Sequence, residues 1–230
     1  MKKIAIIPAR GGSKRIPRKN IKCFLGKPII AYSIETAINS GLFDEVMVST
    51  DDDEIAKIAL KYGATVPFLR SQKTANDFAT TLDVLEEVLK MFKTQNKNFD
   101  YACCIYACAP FTSEKNLKIS LNLLVNNNFD SVLPIIPFGC PIQRSLTIKD
   151  NKVNFFYPEF SIARTQDLEK SFYDAGQFYW MVAKKCIEKA QLITDNSGSI
   201  TLSELEGHDI DNEIDWKLAE IKYALLQSSK

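Results

Sequence analysis

Along the first 136 residues, short apolar runs alternate with stretches whose apolar positions recur every three to four residues. Lys3 to Pro8 is apolar without alternation, which predicts a strand buried on both faces. Pro28 to Asn39 predicts a helix with proline in its first turn and Ile29, Ile30, Ser33, Ile34, Ala37 and Ile38 on one stripe. Asn39-Ser40-Gly41 stops it. Glu45 to Ser49 reads as a second strand, and Asp52 to Tyr62 as a helix closed by Gly63. Ala64 to Leu69 is strand-like and Thr80 to Phe92 helical. Tyr101 to Ala107 reads as a strand, Ser113 to Asn126 as a capped helix, and Ser131 to Ile136 as another strand. Strands alternating with helices of this length predict an α/β fold around a mainly parallel, doubly wound sheet.

The rhythm changes after Pro137. Residues 138–180 hold Phe155, Phe156, Tyr157, Phe160, Phe172, Tyr173, Phe178, Tyr179 and Trp180 with no continuing βα repeat. This predicts a small aromatic-rich insertion or arm, lining a pocket or pairing with a second subunit. Trp216 to Gln227 closes the chain as an amphipathic helix. Without an internal repeat or a linker, residues 1–230 read as a single domain, a length that buries a sizeable core.

Composition agrees with a packed globule: 46% of residues are hydrophobic, with nine Gly and nine Pro. No run reaches the roughly 18 apolar residues of a membrane span. The apolar start is cut by Pro8 and Arg10 before it reaches signal-peptide length. Cys103, Cys104 and Cys108 lack C-x-x-C spacing, and His208 is the only histidine, so a zinc site has little support. With Cys23, Cys140 and Cys186, these cysteines are expected to be buried free thiols in a reducing cytoplasm. Lys plus Arg number 29 and Asp plus Glu 28, a net charge of +1. That balance argues against a nucleic-acid or membrane-surface partner, so any polyanion must be gripped by a local cluster.

Such a cluster follows the first strand. Arg10, Lys14, Arg15, Arg18 and Lys19 place five cations within ten residues, beside Gly11 and Gly12. At the carboxyl end of a strand in an open α/β sheet, paired glycines let backbone N–H groups turn toward a phosphate. Neither G-x-x-x-x-G-K-[ST] nor G-x-G-x-x-G is present, so the loop is not a P-loop and has no dinucleotide fingerprint. Near the other end, Asp209 and Asp211 lie two residues apart. On an extended segment both carboxylates face one side and can approach one metal region, or else they are surface acids capping the last helix.

The run Ile6-Ile7-Pro8-Ala9-Arg10-Gly11-Gly12-Ser13-Lys14-x-Ile16-Pro17-x-Lys19-Asn20 resembles the signature of cytidylyltransferases acting on nonulosonic acids, the sialic-acid-type nine-carbon sugars. The resemblance continues in order through Ser49-Thr50-Asp51-Asp52-x-Glu54-Ile55-Ala56, Phe68-Leu69-Arg70, Asp77, Thr80-Thr81, and Asp209-Ile210-Asp211 with Glu213 and Asp215. It implies a Rossmann-like sheet of the nucleotide-diphospho-sugar transferase type. Three segments depart from the sialic acid pattern: Ile105-Tyr106-Ala107-Cys108-Ala109-Pro110, Pro141-Ile142-Gln143-Arg144 and Asp174-Ala175-Gly176-Gln177-Phe178-Tyr179-Trp180. They resemble the pseudaminic acid branch of that family. The alternatives are the same reaction on sialic, legionaminic or another keto-sugar acid and, from a different class, a nucleotide-binding module without catalysis.

The resemblance implies a Mg²⁺-dependent reaction of CTP with the sugar acid, in a cytoplasmic homodimer. Asp209 and Asp211 are its metal-binding and nucleophile-activating positions. Arg10 and Lys19 are the candidates for the triphosphate, with Asn20 bonding ribose or phosphate and Ala9, Gly11 and Gly12 passing close to the nucleotide. Arg70 fits a base- or ribose-side contact, Asp77 is expected to hold the loop that carries it, and Tyr106 replaces a glutamine near the nucleotide or metal. For the sugar carboxylate a guanidinium is suited, and Arg164 and Arg144 are the candidates. Gln143, Tyr173, Asp174 and Gln177 offer hydrogen bonds to acylamino and hydroxyl groups, and Phe178 an apolar face. His208 is left out of catalysis.

Overall fold

Seven strands form the sheet that carries the molecule, in a computed structural model that describes residues 1–228. They are β1 (Lys3–Pro8), β2 (Glu45–Ser49), β3 (Tyr101–Ile105), β4 (Ser131–Pro137), β5 (Phe172–Asp174), β6 (Phe178–Val182) and β7 (Ser197–Thr201). The main helices are α1 (Ile29–Asn39), α2 (Asp53–Lys61), α3 (Thr81–Thr94), α4 (Glu114–Asn126), α5 (Ala183–Lys189) and α6 (Glu213–Ser228). The strand order is β7-β4-β6-β3-β1-β2, with β5 pairing outside β4. β1 is parallel to β2 and β3, and β7 to β4, while β6 runs antiparallel between β3 and β4. The sheet is therefore mainly parallel, as expected.

Each central strand is apolar on both sides because helices cover both faces. From β1, Ala5 and Ile7 point to the layer of α1, α2 and α4, where Ile34, Ile55 and Leu117 are buried. Ile4 and Ile6 point to the opposite layer, where α3 supplies Leu85, Val88 and Phe92. A smaller third core joins Ile16, Phe24 and Ile29 to Phe111, Ile210 and Trp216. It seats the basic loop of the first strand against the acidic segment near the end of the chain.

Start and stop signals placed the first helices well. Asp52 caps α2, its side chain accepting from the N–H groups of Glu54 and Ile55. Thr80 and Asp83 form a capping box on α3. Other expectations fail for physical reasons. Ala64–Leu69 is not a strand: Thr65 bridges Met47, and Pro67, which has no N–H, follows two residues on. Ile38 falls off the buried stripe and leans over Gly63, 40% exposed. The aromatic stretch 138–180 is not uniform. Leu146–Lys149 and Lys152–Phe155 form an exposed hairpin, whereas Phe178–Val182 enters the centre of the sheet, where Phe178 and Trp180 are fully buried. Of the cysteines, Cys103, Cys104 and Cys186 are buried and Cys108 partly so, but Cys23 and Cys140 are exposed; all are free.

At the pole opposite the site, Asp130 accepts hydrogen bonds from Lys185 (2.8 Å), Thr194 (3.2 Å) and Asn196 (3.2 Å) and pairs with Lys189 at 2.9 Å. The two lysines hold its carboxyl far below the usual carboxylate range. Asp130→Ala is expected to lower stability by about 2 kcal/mol at neutral pH. A depressed pKa stabilises above the unfolded value, so the difference from the native protein should narrow as pH falls below about 4. Urea unfolding across pH checks both the size and the sign.

Candidate active site

β1 is flanked by β2 on one side and β3 on the other, so the chain reverses its winding between β1 and β3. Loops leaving the carboxyl ends of these strands meet there, where open α/β sheets bind ligands. Arg10, Lys19, Asn20, Arg70, Asp77 and Tyr106 all line one pocket of about 290 Å³. A larger cleft of about 550 Å³, lined by Thr36, Phe111 and Tyr223 among others, does not include the basic loop.

The end of β2 shapes this loop. The Gly11 N–H donates to Asp51 Oδ1 at 3.0 Å, and a Cβ on Gly11 would lie 2.7 Å from Asp52 Oδ2, so glycine is required by close approach. Arg18, in the left-handed conformation at φ 54°, reaches both Asp52 oxygens at 2.5 and 2.9 Å and Glu54 at 2.5 Å. The guanidinium holds the Asp52 carboxyl down at about 2. Asn20 is buried and braces the loop: it donates to the Arg10 carbonyl at 2.9 Å and accepts from Cys108 Sγ at 3.2 Å, which leaves its second N–H unassigned at the pocket lining. Burial pushes the Cys108 thiol up to about 12, so it stays protonated at neutral pH.

Every cation of the loop is already engaged. Arg10 and Lys14 share Asp77, each at 2.5 Å, and Arg15 pairs with Asp211 at 2.7 Å. Lys19 Nζ donates to the Ile210 carbonyl at 2.6 Å. Asp77 thus differs from the expectation that it holds the loop of Arg70: its carboxylate sits on two phosphate-loop cations. Arg70 is held instead by Ser49, donating to the carbonyl at 2.7 Å and the hydroxyl at 3.2 Å. Any anion gripped by these cations must share or displace the Asp77 carboxylate. Asp77→Asn is expected to tighten the binding of inorganic tripolyphosphate, read by titration calorimetry, by about threefold, the size of an exposed ion pair. Weaker binding would make Asp77 a supporting contact instead.

Asp209 and Asp211 flank Ile210, which is buried in the third core. Burial, and then the like charge of Asp211, push the Asp209 carboxyl up, with Lys19 opposing. Asp209 forms no salt bridge among the described residues. The other two acids are occupied: Glu213 holds Lys22 at 2.7 Å, and Asp215 caps α6. A partly desolvated Asp209 carboxyl beside the charge of Asp211 is a donor set that fits a divalent ion taking its remaining oxygens from water and a bound ligand. No group of three or more metal-ligating side chains occurs among the described residues.

On the far side of the sheet end, Tyr106 Oη lies 3.1 Å from Thr81 Oγ1, and burial pushes its phenol up to about 12. Thr81 belongs to the Thr80-Thr81 pair that carries part of the resemblance, but its contact with Tyr106 has no local signal in the sequence. Tyr179, buried beside Tyr106, donates to Asp174 Oδ2, while Asp174 Oδ1 accepts the Gly176 N–H at 2.9 Å. Gln177 is buried, donating to the Glu206 carbonyl at 2.7 Å. Phe178 does not offer a face to a ligand, because it is fully enclosed in the sheet core. The remaining sugar-side candidates lie in the arm and away from the pocket lining. Gln143 donates to the Glu169 carbonyl and Arg144 to the Ala163 carbonyl, Arg164 pairs with Asp167, and Tyr173 rests against Phe138.

A mainly parallel sheet with a cation-rich glycine loop at its switch point and an acidic pair packed against that loop defines a nucleotide-binding α/β protein. Comparison with known proteins makes this specific. The sequence profile of the cytidylyltransferase family matches residues 4–180, and the chain belongs to that family. It is 41% identical over 230 residues, 100% of this chain and 99% of the relative, to the pseudaminic acid cytidylyltransferase of Campylobacter jejuni subsp. jejuni serotype O:2. It is 34% identical to the CMP-N,N'-diacetyllegionaminic acid synthase of Legionella pneumophila, over 96% of this chain and 95% of that one. Among solved structures, CMP:2-keto-3-deoxy-manno-octonic acid synthetase complexed with CTP superposes with a TM-score of 0.72 at 17% identity, covering 99% and 100% of the two chains. At that identity the match speaks for the fold.

Proposed function

We propose that this cytidylyltransferase transfers CMP from CTP to the anomeric hydroxyl of pseudaminic acid, releasing pyrophosphate. The observation that carries the reading is the full-length identity to a pseudaminic acid cytidylyltransferase, together with a switch-point pocket that gathers the phosphate loop. In the reaction the hydroxyl attacks the α-phosphorus and the bond to pyrophosphate breaks. The obstacle is charge and alignment, since two anions must meet at a crowded phosphorus.

Arg10 and Lys19 would receive the triphosphate as its charge displaces their present partners. The backbone at Ala9, Gly11 and Gly12 would follow the nucleotide, and Tyr106 would bound it on the β3 side. Asp209 and Asp211 would hold a divalent cation, proposed to be Mg²⁺, which when bound neutralises phosphate oxygens. Arg70 would act through Ser49, whose carbonyl also accepts the Ala9 N–H at 2.9 Å, fixing where the loop leaves β1. Gly176, whose Cβ position lies 3.6 Å from Asp209 Cγ, brings the segment 174–177 beside the acidic pair and supports Asp174 as a sugar-side residue, whereas Gln177 is buried and held by the Glu206 carbonyl. Arg144 and Arg164 belong to an arm that would close over the sugar acid. The arm exposes Ile148 (74%), Val153 (61%) and Ile162 (94%), which supports pairing of two protomers through residues 138–180. Six free cysteines and no helix among the described residues long or apolar enough to cross a membrane support a cytoplasmic place of action.

Incubation with CTP, Mg²⁺ and each of pseudaminic, legionaminic and sialic acid, with pyrophosphate release as the readout, tests the substrate. Turnover is expected to be highest with pseudaminic acid. Robust turnover with sialic acid and none with pseudaminic acid would overturn the assignment.

A further inference from the structure

We propose that Asp215 is a positioning residue for the acidic pair, stapling the loop 208–212 so that Asp209 and Asp211 face the phosphate pocket. The proposal rests on the reading of those two carboxylates as the cation holders. Asp215 Oδ2 accepts from the N–H of Asn212 at 3.1 Å and from the N–H of Asp211 at 2.9 Å. In return, Asn212 Oδ1 accepts from the N–H groups of Ile214 and Asp215, at 2.8 and 3.0 Å. This is a capping box at the start of α6, with one addition. An ordinary box ends at the cap residue, whereas here the same carboxylate oxygen also binds the N–H of the residue before it, Asp211. That extra bond has no role in starting the helix.

The other end of the loop is tied to the same residue. His208 Nε2 lies 2.9 Å from the Asp215 carbonyl oxygen. Residue 215 therefore contacts the chain on both sides of the pair, through its carbonyl at 208 and its carboxylate at 211 and 212. Its anchorage is firm, because the next residue, Trp216, is buried in the core that also holds Ile210. Asp211 raises the Asp209 carboxyl by its like charge, so bonds that fix the backbone on either side of the pair add to those of Lys19 and Arg15 in holding the two together.

The partners that orient carboxylate ligands commonly change metal affinity by about 10–100-fold when removed. Mn²⁺ binding in the presence of CTP, without the sugar acid, can be followed by water-proton relaxation. Asp215→Ala is expected to weaken Mn²⁺ by about tenfold. Asp215→Asn, which retains an acceptor oxygen, should bind within about threefold of the native protein. Ser113→Ala removes the cap of another helix, α4, where Ser113 Oγ accepts the Asn116 N–H, and should leave Mn²⁺ binding unchanged. If Asp215→Ala does not fold, Asp215→Glu decides the matter: glutamate keeps the cap but shifts the acceptor, and weaker Mn²⁺ binding is again expected. Native Mn²⁺ affinity in Asp215→Ala, or in Asp215→Glu where that variant decides, would overturn the proposal. So would a loss in Ser113→Ala equal to that in Asp215→Ala. Unchanged affinity in Asp209→Asn would instead overturn the cation reading beneath it, so the two failures are told apart.

Discussion

Asp209→Asn is expected to lower turnover by about 10²- to 10³-fold while leaving the thermal unfolding midpoint unchanged or slightly raised. The two readouts move apart because of where the side chain sits. Its carboxyl is pushed up by burial and by the Asp211 charge, and it has no salt bridge among the described residues. In the unliganded protein this negative charge is therefore unfavourable, and an isosteric neutral amide relieves it. On the proposed reading the same charge would be needed in turnover, to hold the divalent cation with Asp211. A residue that costs stability at rest and is needed in turnover is a recurrent feature of active sites. Asp211 should behave differently, since Asp211→Asn also breaks the 2.7 Å pair with Arg15 and loosens the loop it bridges. Steady-state kinetics with thermal melts of both variants test the distinction. An Asp209→Asn enzyme that keeps more than a tenth of native turnover would sink the assignment, and a markedly lowered midpoint would mark Asp209 as structural.

The positions of these groups were legible in the sequence to different depths. The loop 9–20 stands out because a buried strand, two glycines and five cations are contiguous, and contiguous signals survive folding. For Asp209 and Asp211 spacing left two readings open, a pair facing one metal region or surface acids capping the last helix, and the resemblance chose between them. What spacing could not give is the partner of each charge. Asp77 meets Arg10 from 67 residues away, and Lys19 meets the Ile210 carbonyl from 191 residues away. Such contacts depend on how the third core seats Ile16 against Ile210, and no local pattern encodes that. The segment 172–182 misled for a related reason. Its aromatic run is compatible with an exposed arm or a buried strand. Only the gap between β3 and β4, which β6 fills, decides for Phe178. β7 was hidden because its sequence, SGSIT, is small and polar; Gly198 is needed there since a Cβ would meet the Phe129 ring at 2.4 Å.

Lys19→Met should produce the second large loss, about 10²-fold in kcat with a smaller change in the KM for CTP. The side chain is half-buried, and its ammonium donates to the Ile210 carbonyl while lining the nucleotide pocket with Arg10. It thus stands between the phosphate loop and the acidic segment and carries a charge that both sides use. A cation in that place does little for ground-state binding that Arg10 and Lys14 do not also do. On the proposed reading, its role is to stabilise the charge that develops between the α-phosphorus and leaving pyrophosphate. Lys19→Arg should restore only part of the rate, because a planar guanidinium does not reproduce a compact ammonium bound to one carbonyl oxygen. The link to Ile210 adds a further consequence. Removing Lys19 also unties the segment bearing Asp209 and Asp211, so the two kinds of loss share a cause. In a double-mutant cycle, Lys19→Met with Asp209→Asn should be little worse than Asp209→Asn alone, whereas independent sites would multiply their losses. Full multiplication of the two effects would show that Lys19 serves the phosphates without supporting the acidic pair.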